Sequence, residues 1–116
     1  MRSRRPNERW SVAVILSTYH VTLTIRLWHL TTEIDSGLLT ELHAQLRLLQ
    51  RRGVLGSFFV TGHRASRLLQ VTVVVSAVRI ASAALRAEAA VREAVTGLIA
   101  PDSVTFERLA AQPANS

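Results

Sequence analysis

Seven residues, Val21 to Leu27, read Val-Thr-Leu-Thr-Ile-Arg-Leu. In an extended chain successive side chains point to opposite sides, so Val21, Leu23, Ile25 and Leu27 share one side and Thr22, Thr24 and Arg26 the other. A helix would scatter both sets around its circumference. Strict alternation of β-branched and apolar residues therefore predicts a strand with one buried face, placed at the centre of a sheet. Every other apolar run in the chain must then find a place around it.

Upstream, Trp10, Val12, Val14 and Leu16 are apolar in the even phase, whereas Val21 onward is odd. A shift of one residue exchanges a strand's faces, so Ser17 to His20 is expected to hold a bulge or a turn, with Tyr19 and His20 serving it. A separate N-terminal strand and one long bent strand both remain open. Downstream the period becomes helical. Thr32, Asp35 and Ser36 supply capping signals. Leu38, Leu39, Leu42, Leu46 and Leu49 then form a stripe, with Arg47, Arg51 and Arg52 near the favourable C-terminal end and Gly53 as the stop.

Val54–Thr61 and Leu68–Val75 read as two strands joined by a polar turn at residues 62–66, which contains His63. A second helix is predicted from Val78 to Leu98, its stripe being Ile80, Ala84, Ala87, Val91, Val95 and Leu98, with Glu88 and Arg92 paired at i,i+4. Val104 to Leu109 alternates again and predicts a short last strand. The order strand, helix, strand, strand, helix, strand is that of an α+β, ferredoxin-like α/β plait: an antiparallel sheet with two helices on one face. A half-plait with a helical C-terminus is the alternative. The domain divisions are a disordered basic arm at 1–9, one domain at 10–110 and a polar tail at 111–116.

Composition excludes several classes. Of the 116 residues 48% are hydrophobic and 19% charged, which is too apolar for a disordered protein. With no cysteine there is no disulfide framework, thiolate metal site or cysteine nucleophile, and a cytoplasmic location is expected. No uncharged run reaches the about 20 apolar residues of a membrane span, and no leader pattern is seen. The net charge is +6, and half of it sits in the first ten residues.

Chemistry is harder to find. No nucleophile elbow, phosphate-binding glycine loop or metal-binding helix motif occurs, and neither a metal nor a cofactor is expected. With both helices on one side, the other side of the sheet is bare. It would display Thr22, Thr24, Trp28, Phe59, Thr72 and Val74, which form the expected interface of a homodimer. Arg26 lies among them and would need Glu107 to neutralise it. A non-enzymatic, self-associating binding or assembly module is the reading these residues favour. Two alternatives stand beside it. One is a proton-transfer site at His29, Glu33 and His43 in a dimer cleft near the first helix. The other is contact of Arg2, Arg4 and Arg5 with nucleic-acid phosphates, without sequence preference. An RNA platform on the sheet would need aromatics on its central strands, and Leu68–Val75 has none.

Overall fold

The computed structural model describes residues 15–28, 36–63 and 65–114. The arm at 1–9, the segment Trp10–Val14, the capping signals at Thr32 and Asp35, and the candidate residues His29 and Glu33 lie outside these. The elements are β1 (Ser17–Leu27), α1 (Ser36–Arg51), β2 (Phe58–His63), β3 (Leu68–Ala77), α2 (Ile80–Thr96) and β4 (Val104–Pro113), with a single 3-10 turn at Pro101–Ser103. The four strands form one antiparallel sheet in the order β2-β3-β1-β4. This α+β arrangement of four antiparallel strands and two helices is compatible with a ferredoxin-like fold.

β1 has a hydrogen-bonded neighbour on each side and supplies the centre of the core. Val21, Leu23, Ile25 and Leu27 are sealed from water, together with Leu69, Val71, Val73, Val75 and Ala77 of β3. Leu42, Leu46 and Leu49 of α1 and the alanine-rich face of α2 close over them in one cluster. The intervening side chains, Thr22, Thr24, Gln70 and Thr72 among them, look away from the helices.

The expected break at Ser17–His20 is absent. β1 runs through it without interruption, Tyr19 is buried in phase with Val21, and His20 pairs with Val74. The change of phase lies earlier, because Ile15 and Leu16 precede the strand and stay exposed. β4 also departs from expectation. It continues past Leu109 into the segment read as a tail, so that Ala111 faces Val21 and Pro113 faces Tyr19. The alternative of a helical C-terminus is thereby excluded. A register shift between Thr24 and Ile25 leaves Glu107 as an extra residue of β4, a bulge that resets the strand's faces.

α1 ends as read from the sequence. Gly53 adopts φ +78, its N–H donates to the Gln50 carbonyl, and the Val54 N–H donates to that of Leu49. The β2–β3 turn is tighter than expected. His63 is the last residue of β2, opposite Leu68, and Arg67 takes the left-handed conformation.

The buried stripe of α2 is shifted toward the small side chains: Ala83, Ala87, Ala90, Val91, Ala94 and Val95. Ile80 lies in line with Ala87 but begins the helix and stays 43% exposed. Four alanines on this stripe allow α2 to lie close on β3 and β1, whose inward side chains already fill the layer. Ala87→Leu would overfill that space and should cost about 1–3 kcal/mol in chemical denaturation. Leu85→Ala on the exposed side of the same helix should stay within about 0.5 kcal/mol of the parent.

Candidate functional site

The face of the sheet opposite the helices is uncovered among the described residues. Cross-strand partners place its side chains in rows. One row runs Phe59, Thr72, Thr22, Ala110; the next runs Thr61, Gln70, Thr24, Arg108; on the other flank lie Val74, His20 and Gln112. The strand periodicity thus brings Thr22, Thr24, Phe59, Thr72 and Val74 onto one surface, as the alternation predicts. Trp28 joins them at the end of β1.

The middle of this surface is neutral and flat. Thr22 and Thr72 share a hydrogen bond of 2.9 Å between their hydroxyls. Pairs of this kind tie adjacent strands together, one hydroxyl donating to the other. Phe59 is 65% exposed; β2 is an edge strand, and no described residue beyond it covers the ring. Gly56 seats the chain just before it. Its N–H donates to the Val74 carbonyl at 2.6 Å, and a Cβ there would lie 3.3 Å from that oxygen.

Charge lies toward one end, at Arg26, and on the β4 edge, at Arg108. The Arg26 guanidinium forms an ion pair with Glu107, donates to the Ser66 carbonyl at 3.3 Å and stands 5.6 Å from the centre of the Trp28 ring. The hydrogen bond to Glu107 is the main reason its pKa is raised above the ordinary arginine value. Trp28 is 43% exposed, and its indole N–H donates to Thr105 Oγ1 at 2.6 Å. The β4 bulge supplies Glu107 for this contact. Thr105, the indole's acceptor, carries no signal in the sequence that singles it out.

Of the candidate proton-transfer residues, only His43 lies among the described residues. His43 is half-buried, with its ring edge-on to Phe58 at 5.3 Å, rather than solvated on the polar side of α1 as its helical position implies. His20 and His63 lie on the open face, but their partners Val74 and Leu68 are six residues apart on β3. At about 3.3 Å per residue the two sites are roughly 20 Å apart. Between α2 and the bulge is a hollow of about 140 Å³ lined by Glu88, Arg92, Phe106 and Glu107. Within it Arg92 pairs with Glu88 at 2.8 Å and stacks 4.1 Å from the Phe106 ring, and Arg108 stands at its rim. Among the described residues no cluster of three metal-ligating side chains occurs, and no helix is long and apolar enough to cross a membrane.

If the two threonines act as a unit, their substitutions will not be additive. A cycle of Thr22→Val, Thr72→Val and the double variant should show a coupling of about 0.5–1 kcal/mol in thermal unfolding.

No protein-family model matches the chain, and no curated protein matches it. Among solved structures, that of an uncharacterized protein from Thermotoga maritima is similar over 86% of this chain and 99% of its own, with 12% sequence identity and a TM-score of 0.41.

Proposed function

We propose that this chain is a non-enzymatic module of the cytoplasm, a ferredoxin-like plait that works by pairing with a second copy of itself across the helix-free face of its sheet. The observation that carries the reading is Phe59, an aromatic ring left 65% in water on a face whose centre holds no charge. Trp28 adds a second aromatic at the opposite corner. Threonines between them pack flat and exchange hydrogen bonds with little desolvation. Sheets that stack in this way approach to about 10 Å, a distance that branched side chains of this size fill.

Magnitudes support a modest affinity. Buried aromatics remove about 150–250 Å² each, so the exposed parts of Phe59 and Trp28 amount to roughly 200 Å² per copy. At about 25 cal/mol per Å² two copies gain on the order of 10 kcal/mol, of which association consumes a large part. Arg26 would oppose a two-fold contact if it were free, but its ion pair with Glu107 removes that repulsion.

Solution mass tests the reading. Phe59→Glu places a carboxylate on the proposed interface without touching the core, and it should halve the assembled mass measured by sedimentation at tens of micromolar. An unchanged far-ultraviolet spectrum would verify the fold. Equal masses for Phe59→Glu and the wild type would overturn the proposal.

A further inference from the structure

Among the described residues β4 ends the sheet, and the outward backbone groups of Leu109 and Ala111 find no partner there. Which groups point outward follows from one hydrogen bond. The Ala114 N–H donates to the Thr18 carbonyl at 2.9 Å, so Ala114 faces β1. Backbone direction alternates along a strand. Gln112, Ala110 and Arg108 therefore also face β1, opposite His20, Thr22 and Thr24. Leu109, Ala111 and Pro113 face out.

The edge is blunted at both ends. At one end is the bulge at Glu107. At the other, Pro113 stands at an outward position, where it has no N–H to offer. Between them is a window of five residues, Arg108-Leu-Ala-Ala-Gln112, with two outward donors and two outward acceptors that have no partner among the described residues. Leu109 in this window is 37% exposed.

We infer that this window is a second self-association site, where β4 pairs antiparallel with β4 of another copy about a two-fold axis at Ala110. That centre is the one that uses both donors and both acceptors of the window. It sets Leu109 opposite the partner's Ala111 and Ala111 opposite the partner's Leu109, four hydrogen bonds in all. A centre at Ala111 would set Leu109 against the partner's Pro113, and a centre at Leu109 would set Ala111 against the bulge. The Ala110 register is also electrostatically quiet. Arg108, which has no carboxylate partner among the described residues, falls opposite the neutral Gln112, and the two arginines stay four residues apart along the paired strands. Ala110 meets its own copy with side chains small enough for the narrow spacing at a two-fold.

The inference goes beyond the face pairing and is compatible with it. The edge axis is normal to the sheet and the face axis lies in the plane of contact, so where the two intersect they describe a closed four-copy assembly: two eight-stranded sheets, one on the other. Each surface fails or stands alone.

Proline scanning of the edge in the full chain tests this. Ala111→Pro removes an outward donor that makes no bond within the fold, as Pro113 already does two residues on. It should halve the assembled mass at about 100 micromolar with the thermal midpoint nearly unchanged. Phe59→Glu and Ala111→Pro combined should give the monomer. A second measurement, made in the Phe59→Glu background because Ala110 also lies on the sheet face, reads the register. Ala110→Lys and Ala110→Glu should each lose the edge contact or gain none, while an equimolar mixture should associate at least tenfold more tightly than either variant alone, because unlike charges then meet at the axis. Wild-type mass in Ala111→Pro overturns the edge site whatever Phe59→Glu does, and no gain on mixing overturns the Ala110 register.

Discussion

The structure depends on β1 being satisfied on every side but one. Its backbone is hydrogen-bonded to β3 along one edge and to β4 along the other, and its inward side chains from Tyr19 to Leu27 are buried under both helices. An eleven-residue strand in that position fixes the register of both neighbours. A slip of one residue in either pairing would carry Leu69, Val71 and Val73, or Phe106 and Ala111, to the wrong face. What is left over is the outward face of β1, and with it the outward faces of the strands it organises. The bare surface is a consequence of how completely the other three directions are used.

That logic explains what could be read from the sequence. Val21–Leu27 and Leu68–Val75 were legible because every alternate residue is large, apolar and β-branched or leucine, and the faces they define follow from parity alone. The leucine stripe of α1 was legible for the same reason, at the other period. Trouble began where side chains are small or amphipathic. Tyr19 fits either face, so its burial depends on where the strand starts. Leu109-Ala-Ala-Gln-Pro has almost no contrast between its faces, and only the neighbouring strand shows that it is extended. On α2 the alanines outnumber the larger residues, and a pattern weighted by hydrophobicity favours Ile80 and Leu98 at the ends over Ala83 and Ala90 in the middle. Burial there is decided by available room.

The charges follow a consistent pattern as well. Arg26, Arg52 and Arg92 are each held by a carboxylate, Glu107, Glu93 and Glu88. Exposed pairs of this kind contribute little to stability. Their effect is on the surface they leave behind. Glu107 is available to Arg26 only because β4 is bulged there, and the bulge is also what ends the regular edge of β4. One inserted residue thus shapes both surfaces: it neutralises the charged corner of the sheet face and bounds the window from Arg108 to Gln112.

The two surfaces differ in what they ask of the side chains. On the face, the proposed pairing would draw on apolar area, so Phe59 and Trp28 would matter and the threonines between them would set the spacing. At the edge, the inferred pairing would draw on backbone groups, so the side chains would need only to be small and uncharged where copies meet, as Ala110 and Ala111 are. Small residues carry almost no pattern, which is why the sequence spoke for the face and not for the edge. A strand that is hard to read because nothing about it demands burial is also one whose backbone is easiest to approach. In this chain the same alanines account for both properties.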